Sequence, residues 1–154
     1  MKGYLKNEEE TKHAIRDEGW LHTGDLSYYD AKEYFYIVGR LKELIKVNAL
    51  QVAPAELENV LKQHPKIGDV AVIGVPHEKK GQVPFGFVVK KRGLKEDLSE
   101  AEIHNFLKDK VADYKFLSGG ITFMDSIPCS AAGKILRKDL LQYYNKEILQ
   151  KHNA

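Results

Sequence analysis

Apolar residues fall into several distinct rhythms along the chain, and each rhythm predicts a different element. Leu57, Val60 and Leu61 share one face of a helix that Pro54 opens and that stops near His64-Pro65. Ile103, Phe106, Leu107 and Val111 form the stripe of a second helix, which Ser99 and Glu102 start as a capping box and which extends to about Lys115. A third helix runs from about Arg137 to Lys151, with Leu140, Leu141, Tyr144 and Ile148 on one side. Between them, the apolar runs at 67–75 (IGDVAVIGV), 84–91 (PFGFVVKK) and 119–127 (GGITFMDSI) predict strands. Residues 44–52 (LIKVNALQV) read as a strand or a tight strand pair. From residue 41 onward the order is β-α-β-β-α-β-α, a small, compact α+β domain with mixed short sheets and about three helices.

The first forty residues have another character. A short helix is predicted over Asn7 to Arg16, with Asn7 as cap and Glu8 to Glu10 in its first turn. Tyr28-Tyr29 and Tyr34 to Val38 then read as a β-hairpin around the turn Asp30-Ala31-Lys32-Glu33. A lone hairpin is marginal in water, so this piece calls for a partner surface.

Composition narrows the class. The 154 residues carry 24 basic and 22 acidic side chains, a net charge of +2, too balanced for a nucleic-acid surface. A hydrophobic share of 43% and a charged share of 30% are those of a soluble globular chain. No apolar run is long enough to span a bilayer, and the N-terminus lacks a signal peptide's apolar stretch. The single cysteine, Cys129, excludes a disulfide framework and favours a reducing compartment, cytoplasmic or peroxisomal, although the closing KHNA is not a peroxisomal tripeptide.

Three places hold candidate chemistry. In Thr23-Gly24-Asp25 the glycine permits a sharp turn and projects a carboxylate whose two acceptor oxygens suit a vicinal diol; an Asx-turn explains the same residues. In Gly39 to Lys46, Arg40 and Lys46 suit a phosphate or carboxylate at a hinge, or simply form a solvated strand face. In Ser130 to Lys138, a small-residue loop delivers Lys134 as a point charge, without the pattern of a Walker A loop. Arg137 and Lys138 make this a basic start for the last helix, where acids are favoured, so the cluster stands out. The six histidines share no metal-ligand spacing, and no metal site is expected.

Taken in order, GWLHTGDL (19–26), GRLKELIK (39–46), QVAPAELE (51–58) and GKILRK (133–138) resemble the adenylate-forming enzymes. The texture is that of the branch holding acyl-CoA synthetases, 4-coumarate–CoA ligases and beetle luciferases. The resemblance implies that residues 1–40 are the trailing segment of a large N-terminal adenylation domain, and residues 41–154 the mobile C-terminal lid. It implies an acid-thiol ligase that joins a carboxylic acid to ATP and then to CoA, with ATP and Mg2+ bound mainly by the N-terminal domain. That domain would be the lid's partner. A luciferase-like monooxygenase sharing the adenylation step, and a free-standing interaction module of the same fold, are the rivals. The isolated chain is expected to be inactive.

Residue by residue, the resemblance matches Asp25 to the aspartate on the adenylate ribose and Arg40 to the arginine at the domain junction that also contacts the ribose or phosphate. Lys42 matches the hinge, Lys46 and Gln51 match lid residues that approach the adenylate, and Lys134 matches the adenylation lysine. Three positions depart from the pattern: Gly39 stands where an aspartate is frequent, Ala49 where a glycine is usual, and Cys129 where a basic residue is common.

Overall fold

The computed structural model describes residues 1–16, 18–93 and 97–152, and divides after Lys42 into two compact units. In the first unit, α1 (Glu8–Ala14) starts where the Asn7 side chain accepts from the Glu10 amide. It ends two residues before the expected Arg16, because Ile15 adopts an extended backbone and bridges to Leu21. Strands β1 (Asp25–Tyr29) and β2 (Phe35–Arg40) pair antiparallel. Asp30 closes their turn: its carboxylate accepts from the Lys32 and Tyr34 amides at 2.8 and 3.1 Å and from the Tyr36 hydroxyl at 2.9 Å. Tyr28 and Tyr36 stack across the ladder at 5.0 Å, yet Tyr28, Tyr29, Tyr34, Phe35 and Ile37 remain exposed.

The second unit is an α+β domain, as its pattern predicts. Its elements are β3 (Ile45–Val47), β4 (Leu50–Val52), α2 (Pro54–Leu61), β5 (Ile67–His77), β6 (Gly81–Lys90), α3 (Glu100–Leu107), β7 (Ile121–Phe123) and α4 (Arg137–Tyr143). A π-helical turn (Tyr144–Ile148) and α5 (Leu149–His152) continue the tail. The sheet runs β4-β3-β6-β5, all antiparallel, and β7 joins β6 in parallel. Period-two alternation gives β5 and β6 two buried faces. Val70, Val72 and Val88 pack with Leu57, Leu61, Ile103 and Leu107 of α2 and α3. Ala71, Ile73, Phe85 and Phe87 pack with Leu140 and Tyr144. Burying both faces is why these strands read as continuous apolar runs.

Residues 44–52 form the tight strand pair, one of the two forms their pattern allows, because Asn48 and Ala49 make a two-residue hairpin turn with φ of 48° and 66°. Two further elements end short of their sequence reading. Helix α3 ends at Leu107 instead of near Lys115. There the Lys108 and Lys110 amides turn to carbonyls three residues back, and Val111 packs on the core from the turn that follows. Ser99 caps the Glu102 amide, but the Glu102 side chain goes to Lys66 and His64 instead of completing the capping box. The 119–127 run yields only three strand residues. Gly119 donates to the Pro84 carbonyl, and a Cβ there would sit 2.9 Å from that same oxygen, so the glycine pair forms a close-packed turn. In the tail, Leu140 and Tyr144 are buried four residues apart, whereas Leu141, one step round the helix, is exposed.

Candidate functional site

The hairpin of the first unit brings two of the candidate residues together. Asp25 opens β1 and Arg40 closes β2, and the ladder sets them directly opposite one another. Arg40 Nε lies 2.8 Å from Asp25 Oδ1, and Nη1 donates to the Thr23 carbonyl at 3.3 Å. The register slips between Leu26 and Ser27, leaving Val38 unpaired; such a bulge re-aims the side chains beyond it. Gly24, at φ 75° with open space around its Cβ position, makes the turn that admits Asp25. The Asp25 amide is held by Thr23 Oγ1 at 3.1 Å, so the local bond here is a threonine turn and not an Asx-turn of Asp25. Gly39 lies inside β2 opposite Leu26, where the ladder restrains it.

Lys42 sits exposed in a short 3-10 turn, Leu41–Glu43, at the point where the units divide. Beyond it, Lys46 and Gln51 are cross-strand neighbours on β3 and β4. Ile45, Val47 and Val52 point into the core, so alternation turns Lys46 and Gln51 together to solvent. The Lys46 amide is held by Gln82 Oε1 at 3.0 Å.

Lys134 stands at the tip of a closed loop. Ser130 donates from its amide to the Lys134 carbonyl at 2.8 Å and accepts at Oγ from the Lys134 amide at 3.2 Å. Cys129 and Ile135 form a bridge, and the Leu136 amide reaches the Pro128 carbonyl at 2.9 Å. Gly133 supplies the positive φ of 75° that the turn requires. The backbone is thus pinned, while the exposed Lys134 ammonium has no partner among the described residues.

Arg137, three residues on, has the opposite character. Its side chain is 19% exposed and makes four hydrogen bonds. Nη1 and Nη2 grip both Glu58 oxygens at 2.6 and 3.1 Å, Nε donates to Glu43 Oε2 at 2.8 Å, and Nη1 reaches the Val72 carbonyl at 3.2 Å. Burial alone would push the guanidinium down, but Glu58 and Glu43 hold it above its ordinary value. Glu58, 6% exposed, also accepts from the Val72 amide at 2.8 Å. Together the two side chains satisfy both backbone groups of Val72 on β5, an edge strand of the described sheet. Sequence reasoning missed Glu58 and Glu43. The basic start of α4 was a signal for their partner, since its arginine binds both.

Among the described residues no cluster of three or more His, Cys, Asp or Glu side chains is placed to hold a metal ion.

The second unit is a small α+β domain that presents Lys134, unpartnered among the described residues, on a pinned loop. Residues 56–134 of it match the family model described as AMP-binding enzyme C-terminal domain, and the chain belongs to that family of adenylate-forming enzymes. A 4-coumarate–CoA ligase-like protein of Arabidopsis thaliana is 51% identical over 91% of this chain and 24% of its own length. A luciferin 4-monooxygenase of Photuris pensylvanica is 48% identical over 95% of this chain and 26% of its own. ATP-bound MatB from Rhodopseudomonas palustris superposes with a TM-score of 0.85 at 33% identity, covering 94% of this chain and 28% of that one. The chain thus spans about a quarter of the length of the curated relatives it matches. No helix among the described residues is long and apolar enough to cross a membrane.

Proposed function

We propose that residues 41–154 act as the mobile lid of an ATP-dependent acyl-CoA ligase, with residues 1–40 as the trailing segment of its large adenylation domain. The reaction is carboxylate plus ATP to acyl-adenylate and pyrophosphate, then acyl-adenylate plus CoA to acyl-CoA and AMP. The observation that carries this reading is the unpartnered Lys134 ammonium on a braced loop, in a chain of this family. Attack of a carboxylate on the α-phosphate brings two anions together. A lysine between them offsets the repulsion as charge builds in the transition state. Asp25 would take the ribose hydroxyls, with Arg40 orienting its carboxylate, while Lys46 and Gln51 approach the adenylate. Rotation at Lys42 would withdraw Lys134 and admit the thiol. The exposed aromatic side chains of the hairpin support a covering adenylation domain as partner. A cytoplasmic or peroxisomal setting goes with this reading.

The test is Lys134→Ala in the complete gene product. Adenylation, read as pyrophosphate exchange, falls by about a hundredfold or more, while thioester formation from supplied acyl-adenylate is spared. Equal loss in both steps refutes the role. A second reading, a luciferase-like monooxygenase, is favoured by the near-equal identity to the Photuris relative. It shares the Lys134 step and departs afterwards, in oxygen consumption from the adenylate instead of thioester formation.

A further inference from the structure

Glu43 is the first residue of the second unit, directly after Lys42, and Arg137 opens α4 three residues after Lys134. They are 94 residues apart in sequence, yet Arg137 Nε meets Glu43 Oε2 at 2.8 Å. The guanidinium is itself immobilised: Glu58 holds it bidentately from α2, and the Val72 carbonyl of β5 takes a further hydrogen bond. A planar fork gripped on three sides cannot swivel as a lysine would. We infer that Arg137 and Glu43 form a positioning clamp that ties the exit of the hinge to the base of the Lys134 loop.

The clamp solves a mechanical problem. Rotation at Lys42 has to move the Lys134 ammonium as one piece with the segment leaving the hinge, and a misplacement of about 1 Å can cost catalysis about a hundredfold. Residues 43 and 137 would otherwise be joined only through the whole core. The loop's own bonds, at Ser130, Lys134 and Leu136, hold its shape, and the clamp fixes that shape to the lever. Glu58 belongs to the fold, because it also seals Val72. Glu43 has no other hydrogen bond or ion pair among the described residues, which leaves positioning as the use of its carboxylate.

This inference rests on the role proposed for Lys134, and the experiment separates the two. Glu43→Ala is placed in the complete gene product, with Glu43→Gln as the conservative variant and Lys134→Ala as control. Arg137 variants are avoided because they leave the buried Glu58 carboxylate without its counter-charge. In Glu43→Ala, kcat for adenylation drops by about tenfold to a hundredfold while KM for acid and ATP stays within about twofold. Thioester formation from supplied adenylate is unchanged. Amide exchange at Lys134 and Leu136 quickens by about tenfold, with none at Phe87 in the core. Glu43→Gln, which keeps an acceptor, restores most of the rate. An unchanged adenylation kcat, or exchange quickened equally at Phe87, overturns the clamp. If Lys134→Ala leaves adenylation intact, the functional reading fails on its own, and the exchange at Lys134 and Leu136 still decides whether the clamp exists.

Discussion

Asp25 and Arg40 face each other across the β1–β2 ladder, so the carboxylate proposed for the ribose is already held by a guanidinium 2.8 Å away. The Arg40 side chain is exposed and that of Asp25 half-buried, and a pair so open to water contributes about 0–1 kcal/mol to stability. Its value is orientation. Arg40→Ala is expected to leave the melting temperature of the chain nearly unchanged and to weaken AMP binding by the complete gene product about tenfold. Calorimetry on both species checks this; a large thermal loss with unaltered affinity would assign the pair to folding.

Ala49 occupies a left-handed backbone conformation, φ 66°, at the second position of the β3–β4 turn. Only glycine enters that region without a Cβ penalty. Ala49→Gly should therefore stabilise the chain by about 0.5–1 kcal/mol, the strain relieved exceeding the extra freedom of the unfolded chain. Urea unfolding at constant m-value reads it out. The alanine is tolerated because the Asn48 amide is bonded to the Lys80 carbonyl at 3.0 Å and the strands on either side are in register.

Glu58→Ala removes one partner of a buried pair and leaves Arg137 charged and half-satisfied. A loss of about 3–5 kcal/mol is expected, far above that of an exposed ion pair. A denaturation midpoint within experimental error of the parent would show that the network is ornamental.

His64 supplies a pH dependence. It is buried in the turn that follows α2, its Nδ1 accepts from the Lys66 amide at 3.2 Å, and Phe106 meets its ring edge-on at 4.7 Å. Burial lowers its pKa; Glu102, 3.5 Å from Nε2, pulls the other way, and Lys66 adds to the lowering. The folded value thus lies below the unfolded one. The unfolded chain binds its proton first as pH falls through about 6.5, and stability is lost from there down to the folded value. The urea midpoint should fall more steeply between about pH 7 and pH 5 in the parent than in His64→Gln. Parallel curves would exclude His64 as the source.

Local signals were legible in the sequence and distant ones were not. Asn7, Ser99 and Pro54 marked helix starts because a cap acts on amides two or three residues away. The alternating aromatics marked the hairpin, but nothing in them told that its register would set Asp25 against Arg40. The end of α3 was misjudged because Val111 keeps the helical spacing while packing from a turn. Glu58 drew no reading of its own, although its place between Leu57 and Leu61 put it beside the apolar face. Its partner is 79 residues away, and no spacing rule reaches that far.

The bonds at Val72 also bear on how copies of this chain meet. On β5 the residues sharing Val72's outward direction include Val70, whose amide is taken by the Asp69 carboxylate at 2.9 Å, and Pro76, which has no amide to offer. With Glu58 and Arg137 over Val72, this border offers an incoming strand few free donors. A second chain cannot readily extend the sheet here, and the domain is guarded against edge-to-edge self-association by charges drawn from two helices.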